Sequence, residues 1–189
     1  MKLYHRLLDL MDGQRVLSGA IPGRRLLSAL IAATPSAGTP TLAFLDFEGV
    51  EVATASFLRE SVIGFRDYAR QALPNIYPVV ANLPAAVAEE LDFFVRARGD
   101  VVLTCDLDVQ GKVVAARLFG DLDPAQRATF DAVREVGAIS APELAARFAD
   151  QPIGPTAWNN RLSALANKGL LIERRQGKSK SFSPLLEIA

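Results

Sequence analysis

Two sets of side chains near the carboxy end have the types and spacing needed to grip a nucleic-acid duplex. The first lies between Pro155 and Asn167. There Thr156, Asn160 and Ser163 fall on one helix side with Asn159 beside them, while Trp158, Leu162 and Leu165 recur on the other. An Asn amide can bond adenine through two hydrogen bonds, and a Ser or Thr hydroxyl can donate to a base or a phosphate. The spacing leaves the role of Arg161 open. The second set is Arg174, Arg175, Lys178 and Lys180, disposed around Gly177, which suits a tight bend. Four cations there would neutralise backbone phosphates and make binding strongly dependent on salt.

The overall charge gives no such hint. Over 189 residues, 21 Lys and Arg balance 21 Asp and Glu, so whole-chain electrostatics favour neither a polyanion nor a membrane surface. The distribution is uneven. Residues 1–120 carry 12 basic against 13 acidic side chains, whereas residues 154–182 carry six against one, the acid being Glu173. Positive charge therefore gathers where a phosphate contact would need it. Half of the residues are apolar, enough for a packed core in one domain or two small ones.

Other chemistry finds little support. Cys105 and His5 are the single cysteine and the single histidine, which excludes an intrachain disulfide and a zinc cluster. Cys105 lies in an apolar run, the setting of a small buried hydrophobe rather than a nucleophile. No Ser-His-Asp or Cys-His arrangement emerges, so a protein without catalytic residues, metal or cofactor is expected. Asp46, Glu48 and Glu51 cluster at one strand end, and Asp106 and Asp108 could join them only from an adjacent strand; they read as solvated loop charges. Gly19, Gly23 and Arg24-Arg25 near a helix start would suit an anion, but neither a Walker Lys-Ser/Thr nor a triple-glycine fingerprint accompanies them. Met1 to Arg6 alternates polar and apolar residues without a signal-peptide core. The longest uncharged run, Leu26 to Leu45, is broken at 34–40 by Pro, Ser, Gly and Thr. A cytoplasmic protein with no membrane segment is expected.

The elements that must position these groups follow from periodicity. Arg15 to Leu17 reads as a weak first strand, and Arg24 to Ala33 as a helix with Leu26, Leu27, Leu30 and Ile31 on one side. Thr41 to Phe47 is apolar without alternation, as in a central strand covered on both faces. Helices are predicted over Ser56–Gln71 and Pro84–Arg98, and strands over Ile76–Ala81, Val101–Cys105 and Val113–Phe119, the last two joined by a hairpin link. Strands alternating with helices predict a mostly parallel sheet with right-handed crossovers. Beyond residue 120 the pattern changes. Asp123-Pro124-Ala125-Gln126 and Ser140-Ala141-Pro142-Glu143 are two helix starts. Three helices and a hairpin then fill 123 to 185. The expected class is α/β: a sheet domain over 1–120 followed by a small α+β domain over 121–189.

The carboxy-terminal stretch resembles winged helix-turn-helix regulators of the MarR and ArsR types. The resemblance rests on the capped helix Ser140 to Phe148, the run Thr156 to Leu165, the exit Lys168-Gly169-Leu170-Leu171 and the basic turn. It implies duplex DNA as partner, a homodimer on a palindromic site, and a reading helix and wing built from the residues above.

In the first domain, Leu45 to Val50 followed by Ala53 to Leu58 resembles STAS-like domains related to anti-sigma-factor antagonists. In those domains a strand ends in an Asp-containing turn, and a helix opens at Asp-Ser-Ser-Gly-Leu. Aligned on Asp46 and Leu58, Ser56 stands at the phosphoacceptor serine, while Thr54 and Phe57 replace the motif's Asp and Gly. The residues themselves give Ser56 another role, as the N-cap of the following helix. Two functions are thus expected. One is a transcription regulator whose STAS-like domain senses a signal or docks a partner while the winged helix binds an operator. The alternative is a protein-interaction switch that partners a histidine-kinase-like ATPase and leaves DNA alone.

Overall fold

The computed structural model describes residues 1–177 and 179–186. Its backbone divides into two units, Met1–Asp121 and a second that begins at Leu122.

The first unit is mixed α/β. In chain order it contains β1 (Lys2–Arg6), α1 (Leu7–Leu10), β2 (Val16–Leu17), α2 (Ala20–Ala33), β3 (Thr41–Asp46) and β4 (Val52–Ala53). A long helical stretch follows as α3 (Ala55–Leu58), a π-helical turn (Arg59–Ile63) and α4 (Gly64–Ala72). Then come β5 (Ile76–Ala81), α5 (Ala85–Ala97), β6 (Val101–Leu107) and β7 (Val113–Gly120). The five-stranded sheet has the order β1-β3-β5-β6-β7. Its first four strands are parallel, and β7 returns antiparallel to β6 with a register shift at Asp106/Leu107.

Each crossover steps to the next strand in the same direction, so right-handed connections put the helices on one face. One apolar cluster bears this out. Leu26 and Leu30 of α2, Phe57, Val62 and Phe65, and Val87, Leu91 and Val95 of α5 pack on Ala43, Leu45, Ile76, Val80 and Val102 of the sheet. On the opposite face Phe44 is also fully buried, and the ring of Tyr4 stacks on it at 5.2 Å. Both sets of side chains along β3 are therefore covered, which explains its lack of alternation.

Two strand readings need correction. The first strand of the sheet is Lys2–Arg6, paired along its length with β3; its polar-apolar alternation is that of an edge strand with one face buried. Arg15–Leu17 is not part of this sheet. Val16 and Leu17 pair instead with Val52 and Ala53 in a separate two-stranded ribbon.

The second unit contains α6 (Pro124–Val136), α7 (Ala141–Arg147), α8 (Pro155–Asn167), β8 (Leu171–Gln176) and β9 (Ser179–Pro184). Local chemistry fixes the helix starts. The Asp123 carboxylate accepts from Gln126 N at 2.8 Å with Pro124 in the first turn. Ser140 and Glu143 form a reciprocal capping box. α8 ends at Gly169, whose φ of +77° lets Leu170 N reach Leu165 O and Gly169 N reach Ala166 O, a Schellman closure that aims the chain into β8. β8 and β9 form an antiparallel hairpin. Ile139 adds a bridge to Phe182 through two backbone hydrogen bonds, at 2.9 and 2.8 Å. Phe130, Val133, Leu144, Trp158, Leu162, Leu165, Leu171 and Phe182 form the buried interior, each 2 % exposed or less.

Candidate nucleic-acid interface

α8 is amphipathic in the way its spacing predicts. Trp158, Leu162 and Leu165 are buried, and the Trp158 ring packs against Phe148 with centroids 5.7 Å apart. Thr156, Asn160 and Asn167 are exposed, and Ser163 is half-buried on the same side. The outer stripe therefore offers two amides and two hydroxyls to whatever approaches. Arg161 does not belong to it. Its guanidinium lies 5.5 Å from the centre of the Trp158 ring, where it shields the indole and contributes as a cation–π contact.

Asn159 is half-buried and turned toward the hairpin. It lines a groove of about 520 Å³ with Ser140 at the head of α7, Thr156 at the head of α8, and Ser179 and Lys180 at the start of β9. Thr156 and Asn159 of α8 and Lys180 of β9 thus border one space. Ser140 and Ser179 border it too. Ser140 had signalled only a helix cap, and Ser179 is an ordinary strand residue by type.

The hairpin is where expectation and structure part. Arg174, Arg175 and Lys180 lie in the strands, and Gly177, at φ +60°, lies between them. Residues directly opposite on paired strands share a face, and successive residues alternate. Register pairs Arg175 with Lys180 and Glu173 with Phe182, whereas Arg174 pairs with Ser181. Because Phe182 is buried, Glu173, Arg175 and Lys180 stand on the face continuous with the interior. Arg174 stands on the other face, among Ser179, Ser181 and Ser183. The cations therefore do not form one cluster. Lys178 lies outside the described residues.

Glu173 binds both cations on its own face. Its Oε1 accepts from Arg175 Nε at 2.9 Å and from Lys180 Nζ at 3.0 Å. Partial burial pushes the Glu173 carboxyl up, but the hydrogen bonds and charges of Arg175 and Lys180 outweigh that and hold it below the ordinary glutamate value. Residue types across Leu171-Ile172-Glu173-Arg174-Arg175 do not alternate, so only the strand register, extended past Glu173 to Gln176, separates Arg174 from Arg175.

In the first unit the helix start near Ser56 is built differently from its expectation. Thr54 occupies the cap position, and its side chain makes no cap bond among the described residues. The Ala55 N–H instead donates to Glu90 Oε1 of α5 at 2.9 Å. Ser56 is half-buried and its hydroxyl is hydrogen-bonded to Thr54 Oγ1 at 3.2 Å, so it is not the N-cap. Thr54 Oγ1 also accepts from Gly19 N at 3.1 Å, which engages the start of α2. There Arg24 pairs with Glu60 and Arg25 with Asp12, and Gly23 faces the Phe57 backbone. Ion pairs and close packing therefore occupy the helix start that would suit an anion.

The acidic strand ends are similarly occupied. β5 lies between β3 and β6, and Asn82 brackets the strand ends. It donates to Asp46 Oδ1 at 2.8 Å and accepts from Leu107 N at 2.8 Å. Arg117 pairs with Asp106. Among the described residues no group of three or more His, Cys, Asp or Glu could hold a metal, and no helix is long and apolar enough to cross a membrane. Cys105 is buried, and burial followed by the Asp106 and Asp46 charges pushes its thiol up to about 12. His5 sits under Phe65 with Nε2 3.1 Å from Thr34 Oγ1, and burial lowers its pKa.

Comparison with family profiles and with curated protein sequences finds no match to this chain.

Proposed function

We propose that the second unit is a winged helix that binds double-stranded DNA, and that the chain is a transcription regulator. The observation that carries this reading is the outer stripe of α8, exposed Thr156, Asn160 and Asn167 with half-buried Ser163, which continues through Asn159 into a groove bordered by Lys180. A helix of that surface chemistry can read base edges, and a flanking hairpin can meet phosphates. The order α6, Ile139 bridge, α7, α8, hairpin supports the winged-helix assignment. In this reading Asn160 and Thr156 face bases, Ser163 either a base or a phosphate, and Asn159 the groove wall. Arg174 meets phosphate directly. A homodimer on a two-fold-symmetric site is the assembly it implies.

The mostly parallel sheet with helices on one face supports a STAS-like reading of the first unit, which then senses a signal or docks a partner for the regulator. Ser56, hydrogen-bonded and half-buried, has the position of a phosphoacceptor but not its usual accessibility.

One observation favours the alternative of a protein-interaction switch toward a histidine-kinase-like ATPase. Glu173 neutralises part of the wing, which weakens the attraction to any polyanion. Titrating a fluorescent 30-base-pair duplex of mixed sequence with the whole protein separates the two. The regulator reading expects binding whose logarithm falls linearly with the logarithm of salt, and preference among duplexes that Asn160→Ala relaxes. Absence of binding at 50 mM salt supports the switch instead.

A further inference from the structure

Glu173 engages two of the hairpin cations that the DNA-binding reading would turn toward phosphate. One carboxylate oxygen holds both Arg175 and Lys180, at 2.9 and 3.0 Å, with the acid and the lysine largely covered (side chains 22 % and 30 % exposed). It is the one acid among seven charged residues of 154–182, and register places it on the face of both cations rather than on that of Arg174. We infer that Glu173 is a built-in competitor of the phosphate backbone, setting the affinity of the hairpin for all duplexes without choosing among them.

The physical argument is exchange. A cation already paired with a carboxylate neutralises less phosphate charge and so releases fewer of the duplex's condensed counterions, and to meet a phosphate it must leave, or share, its partner. Arg175 and Lys180 then count only in part toward the salt dependence, while Arg174 stands on the other face of the hairpin. Phosphate contacts carry no sequence information, so relieving the competition raises binding to every duplex by the same factor. The use of such a device is to keep non-sequence-specific binding weak, so that contacts from α8 decide where the protein rests.

This inference rests on the DNA-binding reading, and the test tells the two apart. Fluorescence anisotropy with two unrelated 30-base-pair duplexes, measured from 50 to 200 mM KCl, compares the whole protein with Glu173→Gln and Glu173→Asp. Glu173→Gln removes the charge and keeps the shape; it is expected to bind both duplexes about fivefold more tightly at low salt, in line with two modest ion pairs near the surface. Its salt slope should steepen by about 1 to 2. Glu173→Asp keeps the charge and should stay close to the parent slope. Thermal melting of each variant confirms folding. Equal affinity and equal slope in the parent and Glu173→Gln overturn the inference alone, as does weaker binding by a folded Glu173→Gln. No binding by either protein removes the DNA reading and this inference with it, whereas binding by Glu173→Gln alone supports both.

Discussion

Two helical glycines in the first unit should respond in opposite directions to one added methyl group. A Cβ at Gly23 of α2 would lie 2.8 Å from the Phe57 carbonyl oxygen, 2.9 Å from Glu60 Cβ and 3.2 Å from Phe57 Cα. None of these atoms is the loose end of a side chain. Phe57 and the neighbouring Leu26 are fully buried, so α2 would have to move away from the α3 and π-helical segment by about half an ångström to restore normal contact. Overpacking of this kind costs about 1–3 kcal/mol, and the better helix propensity of Ala returns about 1 kcal/mol. Gly23→Ala should therefore destabilise the unit by about 1 kcal/mol. At Gly64 the nearest atom is Leu27 Cδ2, at 3.3 Å, a methyl that can rotate aside. Gly64→Ala should stabilise by about 0.5–1 kcal/mol. Tyr4, Tyr68 and Tyr77 all lie in this unit while the single Trp lies in the other, so urea titration followed by tyrosine emission, alongside far-ultraviolet circular dichroism, reads the change. A stability gain from Gly23→Ala, or the same sign for both variants, would refute the close-approach argument.

Three further outcomes follow from the same structure. Arg174→Ala should flatten the salt dependence of duplex binding by about 0.9, and Arg175→Ala by less, since Glu173 already engages Arg175; the reverse ranking in a salt titration would contradict the assignment of faces. Glu90→Ala should lower stability by about 1 kcal/mol, because its carboxylate is the acceptor at the start of α3, whereas Ser56→Ala should change it by less than about 0.5 kcal/mol, as denaturation curves would tell. Glu173 has its pKa held down in the folded state. Its contribution is thus present above the unfolded glutamate value of about 4.3 and is lost as pH falls through the lower folded value. The Trp158 melting temperature should drop on acidification through that range by less in Glu173→Gln than in the parent.

What the sequence carried well was whatever a local rule decides. The caps at Asp123 and Ser140, the glycine exit after Asn167 and the buried stripe of Trp158, Leu162 and Leu165 depend on neighbours within four residues, and each was legible. The hairpin joining β6 and β7 was legible for the same reason. What depended on remote partners was not. Glu90 reaches Ala55 across 35 positions, so Ser56 looked like the cap. Lys2–Arg6 became a strand because β3 lay beside it, not because of its own short pattern. The basic segment misled through its composition: charges adjacent in sequence are opposed in space once the backbone is extended, so Arg174 and Arg175 part company while Glu173 joins the cations it seemed only to dilute.

Backbone amide NMR of the labelled protein, titrated with a 20-base-pair duplex at 50 mM salt, tests the DNA-binding reading most directly. The account predicts that shifts concentrate in residues 155–163 and in the strands 171–176 and 179–184, with Asn160 side-chain amide signals moving among them. Shifts absent from those segments at saturating duplex, or confined to Met1–Asp121, would contradict it.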